Sequence, residues 1–143
     1  MVAKEGRMKE KSLPRLIAKC QSLFNQYIRE RDLSGCDYFK CISCGQIKPE
    51  RFMHAGHYYN VGQYSGLRFD EDNCHGQCNY CNTFLHGNLI EYRDNLFMKI
   101  GTERFEKLKL RALAYKRTGY KFSRFEVEEK IKELKEKINN LKP

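Results

Sequence analysis

No stretch of this sequence stays apolar over the roughly 18 residues that a bilayer-spanning helix needs. The N-terminus, MVAKEGRMKEKS, is charged and lacks the apolar segment of a secretory signal. Export and membrane insertion are therefore not expected, and an intracellular, cytoplasmic protein is. That expectation shapes the reading of the seven cysteines. In a reducing compartment, cysteines serve as metal ligands or free thiols rather than disulfides. Acidic residues are also scarce: 18 Asp and Glu stand against 27 Lys and Arg, for a net charge of +9.

The deficit is uneven. Residues 1–31 hold eight basic and three acidic side chains, and residues 102–143 hold thirteen and seven. Residues 41–101 hold five and six. Basic flanks around a nearly neutral centre suit a polyanion, most simply nucleic acid. A solvated, lysine-rich surface has the same composition. Residues 104–124 carry eight basic residues to one acidic, with Phe105, Tyr115, Tyr120 and Phe122 interleaved. Arg104, Lys107, Arg111, Lys116, Arg117, Lys121 and Arg124 are the expected phosphate contacts, with the aromatics either stacking on bases or lying in the core.

Local patterns divide the chain. Residues 1–11 are polar and read as a disordered basic tail. Ser12 caps a helix that places Leu16, Cys20, Phe24 and Ile28 on one face and ends near Asp32. Residues 38–59 read as short strands around turns, and residues 60–68 as a loop anchored at Leu67 and Phe69. A short helix from about Asn79 would carry Cys81 and Asn82. Asn88 begins a further helix, Gly101 ends it, and Thr102 begins the next. Ser123-Arg-Phe-Glu126 is a capping box opening a last helix, whose face of Val127, Ile131, Leu134 and Ile138 can pack on the domain or on a second copy. This gives a core unit over 12–101 and a basic helical extension over 102–143.

The strongest motif is a pair of CxxC sequences, Cys41/Cys44 and Cys78/Cys81. Each brings two thiolates to one ion, and together they complete a tetrahedral Zn²⁺ shell. Such a shell has no open position, so the zinc is expected to be structural. The alternatives are a redox motif or buried thiols, with His75 as a substitute ligand. The 33 residues between Cys44 and Cys78 exceed a simple zinc-ribbon loop. Inside that loop lie Met53-His-Ala-Gly-His-Tyr58 and Asp70-Glu-Asp-Asn-Cys74, the acidic run reading as a solvated turn. Asn82 follows Cys81 directly. Histidine suits a general base near neutral pH, and side-chain oxygens suit Mg²⁺. The alternatives for His57 are a core histidine or a zinc ligand, and its place between the paired CxxC motifs, with Asn73 and Asn82 in register, favours the catalytic reading.

These elements resemble the zinc-containing HNH (His-Me finger) nucleases. In those proteins CxxC, a strand ending in His, an Asn, and CxxC followed by His or Asn occur in this order. The resemblance implies that His57 activates water, that Asn82 binds a catalytic Mg²⁺ or Mn²⁺, and that Asn73 holds the loop orienting His57. It also implies a small ββα-metal core within an α+β fold, flanked by N-terminal and C-terminal helices.

A closer resemblance is to the NinG (Rap) family of lambdoid-phage recombination proteins. It rests on Ile28-Arg-Glu-Arg-Asp32, Cys41-Ile-Ser-Cys-Gly45, Ala55-Gly-His-Tyr58, Leu67-Arg-Phe69, Gln77-Cys78, Cys81-Asn82, Gly87-Asn-Leu89 and Tyr92-Arg93. That family implies a phage-encoded endonuclease, made in a bacterial host, that cuts branched DNA such as Holliday junctions. A homodimer would supply the two active sites that symmetric cutting requires. One departure stands out. Many HNH enzymes carry a metal ligand directly before the base, and here that residue is Gly56. His54 stands where the NinG family carries Asp and is the candidate ligand instead, with His86 a further candidate for ion or DNA. The alternatives are a non-catalytic zinc module that binds nucleic acid, and a structural subunit of a recombination complex.

Overall fold

In a computed structural model, described over residues 11–142 apart from the side chains of residues 117 and 118, the chain is a mixed α+β domain with two small antiparallel sheets. The expected tail, residues 1–11, lies outside the described residues except for Lys11. Helix α1 spans Leu13–Leu33. Ser12 accepts a hydrogen bond from the Arg15 amide at 3.4 Å, so an otherwise unpartnered N–H of the first turn is satisfied. The helix stops at Ser34, whose φ of 50° leaves the helical region.

Strands β1 (Tyr38–Lys40) and β2 (Ile47–Pro49) form a hairpin around the first CxxC. Strand β3 (Met53–His57) pairs with β4 (Cys74–Cys78), running from Met53 opposite Cys78 to His57 opposite Cys74. Strand β4 is absent from the sequence reading. Cys-His-Gly-Gln-Cys offers neither β-branched residues nor alternation, and all five residues are buried. Its strand character comes from its partner rather than from propensity.

The short helix expected near Asn79 is a single π-turn, Tyr80–Phe84. Helix α2 spans Leu89–Thr118 and is interrupted at Gly101, where φ is 85°. The expected break is therefore present. One cluster nevertheless runs across it, joining Leu96 and Ile100 to Phe105, Leu108 and Ala112, so residues 102–115 share a core with the residues before them. Helix α3 (Arg124–Asn140) opens with the expected capping box. Its face of Val127, Ile131 and Leu134 is packed against Leu16, Cys20 and Phe24 of α1 rather than left open for a second copy. No helix among the described residues is long and apolar enough to cross a membrane.

Candidate active site and metal centre

The two CxxC turns meet. The Sγ atoms of Cys41, Cys44, Cys78 and Cys81 lie within 4.8 Å of one another, with Cys44 and Cys78 at 3.9 Å. A tetrahedral Zn–S bond of about 2.3 Å requires sulfurs about 3.8 Å apart, so this cluster fits a metal such as zinc. The surrounding hydrogen bonds fit thiolates. The Cys78 amide donates to Cys41 Sγ at 3.3 Å, the Cys81 amide to Cys78 Sγ at 3.4 Å, and Asn88 Nδ2 to Cys81 Sγ at 3.5 Å. Asn88 thus occupies the N-cap of α2 but turns its side chain to the metal centre rather than to its helix. Burial pushes the Cys44, Cys78 and Cys81 thiols up. Burial also opposes ionisation at Cys41, but backbone N–H groups, that of Cys78 foremost, outweigh it and hold that thiol below its usual range. His75 is not among the ligands. It is buried beside the Tyr92 hydroxyl, 3.4 Å away, and burial pushes its pKa down to about 3.

His57 ends β3. Its Nε2 lies 3.0 Å from the carbonyl oxygen of Arg68. A carbonyl can only accept, so Nε2 carries the proton and the neutral ring keeps its lone pair on Nδ1. Nδ1 has the buried Cys74 thiol at 3.9 Å, a weak partner. Phe24 stacks on the ring at 6.1 Å between centroids, and burial lowers the His57 pKa below the ordinary histidine value.

The Arg68 carbonyl belongs to the 58–73 loop, which Asn73 pins. Asn73 is fully buried. Its Oδ1 accepts from the Tyr59 amide at 2.8 Å, and its Nδ2 donates to the Tyr59 carbonyl at 3.0 Å and the Leu67 carbonyl at 3.4 Å. The Tyr92 hydroxyl donates to the Gly56 carbonyl at 2.6 Å, fixing the strand one residue before His57.

Asn82 reaches this region from the π-turn. His57, Asn82 and His86 line one cleft of about 290 Å³, together with Ala55, Tyr58 and Asn60. His86 arrives through a turn at φ 50°, not along a helical face shared with Asn82. His54 lies outside the cleft lining, but its Nδ1 is 3.0 Å from Asn82 Nδ2. The structure also accounts for Gly56. A Cβ there would collide with the amide of Gln77 and lie 2.9 Å from its Cβ. Gln77 is buried, with Nε2 bonded to Ser43 Oγ at 2.8 Å and the Gly87 carbonyl at 2.6 Å. Residues 54 and 56 share a face of the strand. With position 56 filled from across the hairpin, His54 is the position on that face that carries a side chain.

The expected phosphate contacts are largely engaged within the chain. Arg111 binds Asp70 at 2.8 Å and Arg104 binds Asp72, so the acidic run is not a solvated turn but an anchor for α2. Lys107 pairs with Glu103 at 2.9 Å, Lys116 lies 5.8 Å from the centre of the Tyr64 ring, and Arg124 pairs with Glu128 and the Lys11 carbonyl. Lys121 is exposed, and the side chain of Arg117 lies outside those described. Phe105 is buried, and Tyr120 and Phe122 pack ring against ring.

Sequence reasoning missed an anchor at the end of α1. Arg31 donates to the Glu71 and Cys74 carbonyls at 3.1 and 2.8 Å, while Asp32 accepts from the Gly76 amide at 2.7 Å. Both residues lie in one of the stretches that carry the family resemblance, the only signal that singled them out.

The family described as Bacteriophage Lambda NinG protein matches residues 2–143. The protein named ninG of Escherichia phage lambda is 35% identical over 121 residues, 83% of this chain and 57% of that protein. Its counterpart in Salmonella phage P22 is 34% identical over 122 residues, 84% and 58% of the two chains. That of Escherichia phage 933W is 40% identical over 92 residues, 64% and 43%. The chain thus spans about half the length of these curated relatives. No solved structure matches it. A family match over almost the whole sequence, with the CxxC pairs folded into one thiol cluster, leads to one conclusion: the chain belongs to the NinG family of lambdoid-phage proteins.

Proposed function

We propose that this chain is a metal-dependent DNA endonuclease of the HNH (ββα-metal) type, with the hairpin β3–β4 and the Asn82 turn as its reaction centre. The observation that carries the reading is His57, oriented through Nε2, with only the weak Cys74 thiol at Nδ1, and lining one cleft with Asn82. A pure binding module has no need of a histidine so oriented. His57 Nδ1 takes the proton of a water as its oxygen attacks phosphorus, and the bond to the leaving oxygen breaks. The Arg68 carbonyl, held by Asn73, keeps the imidazole in the reactive tautomer. Asn82 and His54 would supply an oxygen and a nitrogen for Mg²⁺ or Mn²⁺, once the Asn82 amide turned its oxygen outward. Such an ion would stabilise charge on the phosphate and leaving oxygen. With only two protein ligands, it would be held weakly until DNA phosphate completes the shell. The family resemblance supplies the branched substrate; the alternative is a zinc-stabilised module that binds nucleic acid without cutting.

The test is cleavage of four-way-junction and linear DNA by purified protein in Mg²⁺, Mn²⁺ or EDTA. His57→Ala is expected to lose cleavage by about 10²- to 10⁴-fold while still binding DNA. Because burial lowers the His57 pKa, the base stays neutral into mildly acidic solution. The acid limb of the rate profile is therefore expected below about pH 6.5, the ordinary histidine value. Wild-type protein that binds but cuts in neither ion would leave the binding module as the correct reading.

A further inference from the structure

The π-turn that carries Asn82 also holds two large aromatic rings out in solvent. Tyr80 is 55% exposed and Phe84 is 67% exposed. Their centroids are 5.7 Å apart and their planes are inclined by 33°. The turn is short and fixed at its root by Cys78 and Cys81, two of the four clustered thiols. The rings are therefore held in place rather than trailing on a loop. Exposing two aromatic side chains on a rigid turn forgoes burial that folding would otherwise favour, which marks a surface awaiting a partner.

The surroundings select among partners. Residues 73–90 contain no Asp, Glu, Lys or Arg, so no carboxylate of this segment repels a phosphate. The register places Met53 opposite Cys78, so the chain preceding β3 leaves the hairpin at the end from which the turn departs. That chain supplies Lys48 and Arg51, both lying over the Phe52 ring, at 6.0 and 4.8 Å, against one exposed carboxylate, Glu50. The chain as a whole carries +9. Aromatic faces beside cations are the means by which proteins hold unpaired bases without reading their sequence. The two rings lean too close for a base to enter between them, since two stacking spacings of about 3.4 Å would be needed. A base would stack on the outer face of the pair.

We propose that Tyr80 and Phe84 form a stacking platform for unpaired nucleic-acid bases, beside the cleft in which Asn82 and His57 meet. The placement rests on the nuclease reading, because Asn82 lies between the two rings in sequence. A strand whose phosphate reaches Asn82 brings its neighbouring base to the platform. The platform gives preference for DNA with unpaired bases at a branch, without any contact that recognises a base by its edge.

The test uses the full chain with its zinc, in EDTA-free buffer lacking Mg²⁺ so that cutting does not interfere. The probes are oligonucleotides carrying 2-aminopurine, either single-stranded or at the branch of a four-way junction, with a perfect duplex as control. Binding is expected to change 2-aminopurine fluorescence in the first two probes and not in the duplex. Tyr80→Ala with Phe84→Ala is expected to abolish that change and weaken single-strand binding at least about tenfold, with duplex binding little altered. Tyr80→Phe is expected to restore it, because the ring and not the hydroxyl is required. Zinc content and circular dichroism establish that the variants fold. Equal weakening on duplex and single strand would overturn the proposal. So would a concentration-dependent dimer in sedimentation that the double substitution dissolves, which would assign the rings to a second copy. The fluorescence readout needs no cleavage: a protein that fails to cut but shows the stacking signal loses the nuclease reading and keeps the platform.

Discussion

Two of the three buried clusters among the described residues are built on different chemistry. Between α1 and α3, Leu16, Phe24 and Ile28 meet Val127, Ile131 and Leu134, an apolar cluster of ordinary kind. Around the knuckles the cluster is Leu33, Phe39, Cys41, Met53, Cys78 and Cys81, and half of it is cysteine from the metal centre. Burial of hydrocarbon can hold the first. The second has too little hydrocarbon; its four thiols could hold a metal such as zinc, and the buried amide of Gln77 ties Ser43 to Gly87 beside them. Function is expected beside the second, since Asn82 and His54 stand on elements that it fixes, while His57 at the far end of β3 leans on Phe24 of the first. A metal held by those thiols would give this small polar region a rigid geometry that packing alone would not.

The sharpest way to break this comparison is to remove the metal. Structural zinc accounts for about 10 kcal/mol or more of apparent folding free energy in small zinc modules. Chelation, or Cys78→Ser, is expected to erase amide-exchange protection across residues 38–57 and 74–84 while α1 and α3 retain most of theirs. Uniform loss would show that one cooperative unit spans both cores, and uniform retention would show that the thiol cluster is not what holds the hairpin.

Phe24→Ala attacks the other core and is expected to cost about 3–5 kcal/mol in denaturant unfolding. Phe24 also stacks on His57, so cleavage should fall more than stability alone explains. Unchanged cleavage per folded molecule would separate the cores functionally.

Asn73→Ala leaves the Tyr59 amide and carbonyl and the Leu67 carbonyl without their partner, at a cost of about 2–3 kcal/mol. The loop carbonyl on His57 Nε2 would then wander. Turnover is expected to drop with DNA affinity unchanged, a split that a merely destabilised protein would not show.

Some of the fold could be read directly from residue order. Ser12 and the Ser123–Glu126 box mark helix starts because capping acts within one turn. The CxxC pairs declare a metal site because two ligands three apart share one ion. Gly101 ends a helical segment because its positive φ is easy only for glycine. Other features had no local signal. Strand β4 exists only through β3, and the occupant of the space at Gly56 is Gln77, reached across the hairpin. Basic residues at 104 and 111 look alike in sequence whether they meet DNA or an aspartate 32 or 41 positions away.

The sequence by itself thus determined which four thiols cluster, the helix starts at Ser12 and Ser123 and, through resemblance, the family. Tertiary structure alone decided that His57 keeps its proton on Nε2, that His54 rather than residue 56 meets Asn82, and that Arg104 and Arg111 are bound within the chain. The physical reason is range. Caps, turns and CxxC knuckles act over three or four residues, whereas tautomer, steric exclusion and charge pairing depend on groups that only the folded chain brings within about 3 Å of each other.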